Sequence, residues 1–441
     1  MPESELETRR AAFPNGAAVT VAQLAEDPHP VLRQLRASEP VSWLPALGGW
    51  LVTRADLAEA VLRDGRTFTV DDPRFTTARV VGPSMLSLDG EEHRRHRDPF
   101  ARALRTAPMR ARLADAAGAH AARLVADLTA RDGAAELRRG LAGQLAVAVM
   151  AEMLGLNVAS AQLLAWYDAI VAGVSALAEA DQPAVDADGA GTAVLPATPV
   201  PSGTTVPPGT TVPPGTTVPP GTAAPPAAVP PAAAAAFAGL SACVQTALAR
   251  QEAQSVLTAA AGELSVTEIV SNAAVLLFGG IETTEGMICN AIWYLLGDQA
   301  ALAQVLADRS LTEAAVEEAL RLEPAAAVVD RYATADVRLG AAPVRSGDLV
   351  TVSLAGANRD PAAFADPDRF DLRRANARQH LAFAVGPHFC VGAQLARLEA
   401  NAALAALLDQ LPGIRLDPAR PSAPYGLVFR KPPSLHVRWH A

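Results

Sequence analysis

The apolar and polar positions of residues 40–62 predict a β-hairpin followed by a helix. The segment reads PVSWLPALGGWLVTRADLAEAVL, with two short runs, VSWLP and GWLVT, on either side of a Gly-Gly turn. Short runs rich in β-branched and aromatic residues that flank a glycine turn are typical of paired antiparallel strands. The apolar residues of ADLAEAVL then recur at helical spacing.

Long helices are predicted in both halves of the chain. From about residue 91 to 180 the sequence is rich in Ala, Leu and Arg with helical periodicity, and this pattern returns from about Ala236 to Leu322. Two strand-like segments follow, RYATADVRL and DLVTVSLAGA, then a helix over about Gln394–Gln410 and a strand-rich tail, YGLVFRKPPSLHVRW. The predicted fold class is mainly α with small β-sheets, an α+β arrangement.

Residues 183–235 interrupt the helical pattern. They are dominated by Pro, Ala, Gly, Thr and Val, and they repeat GTTVPP between Gly203 and Thr222. Regular Pro-Pro pairs remove amide donors and exclude helix and central strand, so an extended, polyproline II-like or disordered segment is expected. Such a segment either links two independent halves or interrupts one domain, and motifs on both sides must distinguish these cases.

The overall composition narrows the function. The 441 residues are 50% hydrophobic and carry a net charge of −9 without a long charged block, so nucleic acid is not an expected partner. Three widely spaced cysteines, Cys243, Cys289 and Cys390, do not form a disulfide framework. The N-terminus is polar and no uninterrupted apolar run is long enough to span a bilayer, so we expect a cytoplasmic protein without a membrane partner. Lys431 is the only lysine.

A cysteine lies at the start of a predicted helix in the stretch FAVGPHFCVG, residues 383–392. Amides at a helix start favour a thiolate at Cys390, and a thiolate suits a soft or borderline metal. Gly386 and Gly392 permit close approach of a flat group, and His388 could hydrogen-bond an anion. An isolated cysteine of this kind is more often a buried core residue.

A second stretch breaks the local rules of helix formation. Residues 274–288 read AVLLFGGIETTEGMI, an apolar helix interrupted by Gly279 and Gly280 and then by Glu282 and Thr283. Paired glycines and a buried carboxylate both cost free energy, and such violations are expected at functional sites. The alternative is a kinked core helix in which the Thr283 hydroxyl bonds back to a carbonyl.

The cysteine stretch resembles the haem loop of the cytochrome P450 family, whose pattern is Phe-x-x-Gly-x-His-x-Cys-x-Gly. Phe383, Gly386, His388, Cys390 and Gly392 match it in full, although Ala384-Val385 stand where many relatives have a glycine. The resemblance implies that haem b is bound, with the Cys390 thiolate as the axial ligand of its iron.

The second stretch resembles the family's long distal helix, with the pattern Ala/Gly-Gly-x-Asp/Glu-Thr. The resemblance implies that haem lies between this helix and the cysteine-loop helix and that O2 is a co-substrate. Gly279 would lie beside the haem, Thr283 would hold dioxygen and water, and Glu282 would relay protons.

Further polar residues match the family's supporting positions. Glu318 and Arg321 resemble its Glu-x-x-Arg pair, and Arg369 is expected to complete a buried structural triad. Because arginine pairs well with carboxylates, the resemblance also implies four partners for the haem propionates. They are His93, Arg97, Arg331 and His388.

The matching positions lie on both sides of residues 183–235, so we expect one haem domain over 28–441 with an insert in the F–G connection that roofs the substrate pocket. Residues 1–27 are expected to form a flexible N-terminal segment. The insert is either a tolerated surface loop or a docking arm for a carrier or partner protein. The resemblance also implies substrate-pocket residues, which are mostly aliphatic and small: Val81, Met85, Val275, Phe278, Gly279, Ala327, Val328, Val329, Leu427 and Val428.

The function implied is a monooxygenase that hydroxylates or epoxidises an apolar small molecule, with electrons from a separate ferredoxin and ferredoxin reductase. The resemblance makes four arginines candidates for a ferredoxin-docking face, namely Arg94, Arg95, Arg102 and Arg105. Two alternatives remain open, namely oxidative coupling or rearrangement without oxygen insertion, and a non-catalytic haem-binding protein.

Overall fold

Helices form most of the molecule. The computed structural model describes residues 3–130, 133–180, 228–250 and 255–440. Its α-helices are α1 Glu3–Ala12, α2 Pro14–Ala17, α3 Val21–Glu26, α4 His29–Ser38, α5 Ala55–Arg63, α6 Thr76–Val81, α7 Gly90–Arg105, α8 Ala107–Thr129, α9 Gly143–Leu154, α10 Ser160–Ala180, α11 Pro231–Ala249, α12 Val256–Ala260, α13 Val266–Gly297, α14 Gln299–Ala307, α15 Thr312–Leu322, α16 Leu354–Ala357 and α17 Ala393–Gln410.

The strands of the described residues form three small sheets. They are β1 Val41–Leu44, β2 Gly49–Val52, β3 Phe68–Thr69, β4 Ala134–Glu136, β5 Val328–Ala333, β6 Val337–Leu339, β7 Ala342–Val344, β8 Leu349–Ser353, β9 Arg415–Leu416 and β10 His436–Arg438. The largest sheet has the order β1-β2-β8-β5-β3, in which only β2 and β8 are parallel. The other two have the orders β4-β10-β9 and β6-β7. The predicted fold class, mainly α with small sheets, is confirmed, and so is the hairpin, which is β1 paired with β2.

Helix α13 is the central element of the core. It has 32 residues and begins with a capping box in which Ser265 and Glu268 satisfy each other's backbone amides. Most of its residues are buried, and it packs against α9, α11, α15 and α17. One hydrophobic cluster therefore joins side chains that precede residues 183–235 in sequence with side chains that follow them.

The N-terminal segment packs against the large sheet, in contrast to the flexibility expected for residues 1–27. The Arg9 guanidinium lies 4.4 Å from the centre of the Trp43 ring and 3.0 Å from Asp348. The Phe13 ring meets Trp50 edge to face at 5.0 Å. These contacts bury an aromatic ring and a guanidinium, which is why the polar sequence is nevertheless ordered over α1 to α3.

The low-complexity segment ends earlier than its composition indicates. Helix α11 begins at Pro231, five residues before the predicted return of helix at Ala236. A proline fits the first turn of a helix because the amide it lacks would have no intrahelical partner there. The remainder of the insert, residues 183–227, lies outside the described residues, as does the segment that would form the proposed docking arm.

Three of the described helices are long and apolar enough to cross a membrane, judged by length and composition only. They are Ser160–Leu177 within α10, the whole of α11, and α13. Each of these spans includes polar residues, so none is the uninterrupted apolar run that the sequence was expected to lack. In this fold α10 packs on α11 and α13 is mostly enclosed by other helices, so their apolar faces contribute to the core and the roof.

The packing of Arg9 yields a stability prediction. Arg9→Met should lower the free energy of unfolding by about 2 kcal/mol, because it removes a desolvated cation from the Trp43 ring and from Asp348. The exposed neighbour is the matched control, and Arg10→Met should change stability by less than about 0.5 kcal/mol. Chemical denaturation of both variants measures the difference, and equal effects would contradict the packing role of Arg9.

Candidate active site

The cysteine loop runs from Leu381 to the start of α17 without regular secondary structure. The Cys390 amide donates to the Phe383 carbonyl at 2.9 Å, which closes the loop. Gly386 has φ +78°, and a Cβ there would lie 2.5 Å from the Leu62 carbonyl oxygen at the end of α5. Only glycine permits this conformation and this contact, so Gly386 holds the loop against α5.

The thiol of Cys390 is free and only partly exposed. Burial raises its pKa, although the Gly392 amide and the guanidinium groups of Arg97 and Arg397 act in the opposite direction. The thiol is therefore neutral unless a stronger positive centre is present. A bound metal ion supplies such a centre and deprotonates a coordinating thiol outright.

Ala384 carries a local strain. Its φ of +54° lies in the left-handed region, which costs an L-residue with a side chain roughly 1–2 kcal/mol. This is the position at which the sequence departs from the glycine common in the haem loop. The backbone at Ala384 therefore has a conformation that suits glycine better than alanine.

A cluster of cationic and imidazole groups lies beside the loop. The His93 and His388 rings are 4.2 Å apart, and both stand within electrostatic reach of Arg97. Arg331 on β5 is buried, and Arg97 donates to the Phe389 carbonyl. The structure thus brings together the four residues expected to bind propionates.

Asp89 belongs to this cluster and was missed in the sequence. Its Oδ1 lies 2.8 Å from His388 Nε2, and its Oδ2 accepts from the Thr69 hydroxyl at 2.6 Å. Burial opposes ionisation of Asp89, but these hydrogen bonds hold its pKa at about 2. His388 is therefore engaged by a carboxylate of the protein itself, and no spacing signal links residues 89 and 388.

His93 has an unsatisfied atom. Burial, together with the positive charges of His388 and Arg97, lowers its pKa to about 4. Its Nε2 is buried and has no hydrogen-bond partner among the described residues. Since buried polar atoms are nearly always paired, this atom points to a missing polar group at the site.

The middle of α13 shows two different glycine environments. A Cβ on Gly280 would overlap the Met150 side chain of α9, so this glycine permits close helix packing. A Cβ on Gly279 would meet nothing within 4 Å, so this glycine faces open space in an otherwise buried helix. Thr283 lies one turn later and its hydroxyl donates to the Gly279 carbonyl. The back-bond expected for a kinked core helix is thus present next to an open space.

Glu282 points to partners that the sequence did not reveal. Its Oε2 accepts from the Tyr167 hydroxyl of α10 at 2.5 Å, and its Oε1 lies 2.7 Å from Lys431 Nζ. Among the described residues no hydrogen bond joins Glu282 to Thr283. The acid and the alcohol are neighbours in the chain, but their polar atoms have separate partners.

The predicted structural triad contains a different arginine. Glu318 and Arg321 are fully buried and form a two-pronged ion pair with distances of 2.7 and 2.9 Å. The second guanidinium on Glu318 belongs to Arg374, at 2.8 Å. The prediction of Arg369 was wrong, because its side chain is exposed and only its carbonyl accepts from Arg321.

Glu318 and its two arginines form one ionic clamp, and the adjacent glutamate, Glu317, forms a second one that the sequence did not predict. Glu317 pairs with Arg397 of α17 and lies 3.2 Å from His380 Nε2. Burial would raise the pKa of Glu317, but these two partners hold it at about 2. The Arg397 guanidinium lies 4.5 Å from the centre of the Phe383 ring. The clamp therefore joins α15 to both ends of the cysteine loop.

The proposed pocket residues fall into a buried and a partly open group. Val81, Met85, Val275 and Ala327 are buried, whereas Val428 is 40% exposed. Residues Phe278, Val328, Val329 and Leu427 are half-buried. The Ala327 amide donates to the Val428 carbonyl, so the start of β5 and the tail do meet. Their role in binding a substrate remains a prediction.

Comparisons with known proteins identify one family of related sequences and structures. The family model described as Cytochrome P450 matches residues 242–412. The cytochrome P450 monooxygenase PikC of Streptomyces venezuelae is 32% identical over 442 residues, which span 94% of this chain and 92% of that protein. The mycinamicin IV hydroxylase/epoxidase of Micromonospora griseorubida is 34% identical over 422 residues, which span 92% of this chain and 94% of that protein. The solved structure of cytochrome P450 CYP109Q5 from Chondromyces apiculatus has a TM-score of 0.76 at 26% identity, with 96% of this chain and 99% of that chain covered.

The corrected triad can be tested directly. Arg374→Met should lower the free energy of unfolding by about 2–3 kcal/mol, because the fully buried Glu318 loses one of its two cations. Arg369→Met is the matched control and should change stability by less than about 0.5 kcal/mol. Urea denaturation of both variants measures this, and a larger loss for Arg369→Met would restore the original prediction.

The strain at Ala384 predicts a stabilising substitution. Ala384→Gly should raise the free energy of unfolding by about 0.5–1 kcal/mol, because glycine adopts positive φ without penalty. Ala382→Gly, two residues away and without positive φ, should lower it by about 0.5–1 kcal/mol. Denaturation midpoints compare the two, and a loss of stability in Ala384→Gly would show that residue 384 is not strained.

Proposed function

This chain belongs to the cytochrome P450 family, and from that premise we propose that it inserts one atom of O2 into a C–H or C=C bond of an apolar small molecule. It is a monooxygenase, with haem b as cofactor and O2 as co-substrate. The electrons come from a separate ferredoxin and its reductase. The observation that carries the proposal is the intact Glu282–Thr283 pair on α13, because only oxygen chemistry needs a proton route there.

The residues of the site fit haem. The unpartnered Nε2 of His93 and the buried Arg331 guanidinium are suited to carboxylates, and haem carries two propionates. A Cβ on Gly392, at the start of α17, would meet nothing within 4 Å, as at Gly279 on α13. A flat metal cofactor with two negative charges requires a partly exposed thiol, positively charged groups and open space at both glycines. The site has all three features.

Each residue has a distinct task when haem is bound. Cys390 would hold the iron, while His93, Arg97 and Arg331 would hold the propionates and His388 would stay oriented by Asp89. Haem then supplies the oxygen-activating chemistry. The two clamps on Glu317 and Glu318 keep the cysteine loop in place, and Gly386 seats it on α5.

The two residues proposed to deliver protons, Thr283 and Glu282, lie on α13. The Thr283 hydroxyl bonds to the Gly279 carbonyl beside the open space, so it is placed to pass a proton to a substrate-side group. Glu282 holds a hydrogen bond at Oε2 from Tyr167 and is the acid that reloads this route. Because their polar atoms are not in contact, a shift of Glu282 or an intervening water is required.

Two observations support the substrate class, namely the apolar lining of the proposed pocket and the names of related proteins. The proposed pocket positions on α13, β5 and the tail are aliphatic or aromatic, which favours an apolar molecule. One relative is named a hydroxylase/epoxidase, and another, from Nocardia uniformis subsp. tsuyamanensis, is nocardicin C N-oxygenase. These names support the transfer of an oxygen atom to a small molecule by hydroxylation, epoxidation or N-oxygenation.

The ferredoxin face is proposed on α7. Arg94 and Arg105 are exposed on this helix and suit an acidic partner. Arg95 and Arg102 also lie there, but they pair with Glu268 and Glu263 and are less available. A cytoplasmic location is proposed as well, and it is supported by three free cysteines, which suit a reducing compartment.

The decisive experiment combines an absorption spectrum of the haem with isotopic labelling of the product. The dithionite-reduced protein under carbon monoxide should show the red-shifted Soret band of a haem thiolate, and products formed under ¹⁸O₂ should carry one labelled oxygen. An unlabelled product would favour coupling or rearrangement. No bound haem in folded protein would overturn the proposal.

Substitution of Thr283 tests the proton route. Thr283→Ala should reduce product formed per reductant about tenfold, with the balance lost to peroxide or water, because the hydroxyl is missing. Thr283→Ser keeps the hydroxyl and should retain most of the yield. Equal yields from the wild type and Thr283→Ala would remove Thr283 from the route.

A further inference from the structure

The only lysine of the chain is buried. Lys431 is the sole lysine among 37 lysines and arginines, and its side chain is 8% exposed. It lies in the tail between β9 and β10, where its carbonyl accepts from the Tyr425 amide at 3.1 Å. A buried ammonium costs free energy unless carboxylates surround it, so its partners indicate its role.

Lys431 stands between two carboxylates of α13. Its Nζ is 2.7 Å from Glu282 Oε1 and 2.8 Å from Glu285 Oε1. Glu285 has a second cation, since Arg138 Nε lies 2.6 Å from the same oxygen. Burial would raise the pKa of Glu285, but Lys431 and Arg138 together lower it. Because Arg138 is held by Glu285, Lys431 is the cation that serves Glu282.

A compact ammonium suits this position. Glu282 and Glu285 are three residues apart, so both carboxylates project from one face of α13. An ammonium has three donors around a single nitrogen and can bridge two such groups, whereas a guanidinium is wider and planar. The ammonium of Lys431 is therefore well suited to contact both acids from one position.

Glu282 is also tied to the roof of the molecule. The Tyr167 hydroxyl of α10 donates to its second oxygen at 2.5 Å. Burial, reinforced by the charge of Glu282, raises the pKa of Tyr167 well above its usual value, so it remains a donor. The two oxygens of this acid are thus held by two elements, α10 and the tail, that are distant in sequence.

We propose that Lys431 is a positioning residue for proton delivery, which holds the Glu282 side chain turned away from Thr283 until the acid is needed. The Tyr167 bond makes the position of Glu282 depend on α10, so a displacement of that helix changes the proton route. This inference rests on the proposed function of Glu282 as the proton donor. What is new is Lys431, the residue that fixes the position of the Glu282 carboxyl group before proton transfer.

Thermal unfolding of the haem-bound protein tests the contact without turnover. Lys431→Met should destabilise the protein much more when Glu282 is present than in the Glu282→Gln background, because only a charged partner is left unpaired. Arg438→Met, which removes an exposed cation on β10, should show no such dependence on residue 282. Equal losses for Lys431→Met in both backgrounds would overturn the contact.

Turnover then tests the positioning role. Lys431→Met should lower product per reductant about fivefold, while the substrate dissociation constant from the spin-state shift changes less than about twofold. Lys431→Arg restores the charge but not the compact geometry and should recover only part of the yield, and Arg438→Met should match the wild type. Unchanged yield in Lys431→Met, despite coupling to residue 282 in the unfolding cycle, would overturn the positioning role.

Tyr167→Phe supplies a second test if Lys431→Met does not bind haem. It keeps the ring and the cation but frees one oxygen of Glu282, so the yield should fall about twofold or more. An unchanged yield would overturn the dependence on α10. Failure of the proposed function is distinct, because the wild type would then form no labelled product, and the unfolding cycle would still decide whether Lys431 and Glu282 interact.

Discussion

Two adjacent glutamates of α15 determine where the cysteine loop lies, and the rest of the site depends on that placement. The loop has no ladder of backbone hydrogen bonds between Leu381 and α17, so side-chain charges must locate it. Glu318 holds Arg321 and Arg374, and Glu317 holds Arg397 and the ring of His380. Buried carboxylates are costly unless they are partnered, so the pairs with Arg374, Arg397 and His380 hold segments outside α15 against that helix.

Helix α13 combines two roles, because it fills the core and also carries the polar residues of the proposed proton route. Gly280 admits Met150 of α9 closely, whereas Gly279 leaves open space beside the Thr283 hydroxyl. One turn of helix therefore presents a packed face and an accessible face. Two of its three glutamates, Glu282 and Glu285, are paired with Lys431 and Arg138, so cations and carboxylates are matched in this polar group.

The features that were predictable from sequence are the local ones. The hairpin of β1 and β2, the Cys390 loop, the Glu282–Thr283 pair and the Glu318–Arg321 spacing each fall within a short window, where chain geometry dictates which residues are neighbours. The prediction of Arg369 shows the limit of this reasoning. Residues 369 and 374 lie in one irregular loop, and only its path in space decides which guanidinium reaches Glu318.

The sequence by itself determined the family and the class of chemistry, and it predicted Cys390 as the axial ligand, because these reside in contiguous motifs. The tertiary structure decided which distant residues support them. Asp89 meets His388, and Tyr167 and Lys431 meet Glu282, across separations of 299, 115 and 149 positions that leave no trace in local spacing. Long-range ion pairs form wherever packing buries complementary charges together, and no periodicity along the chain encodes that meeting.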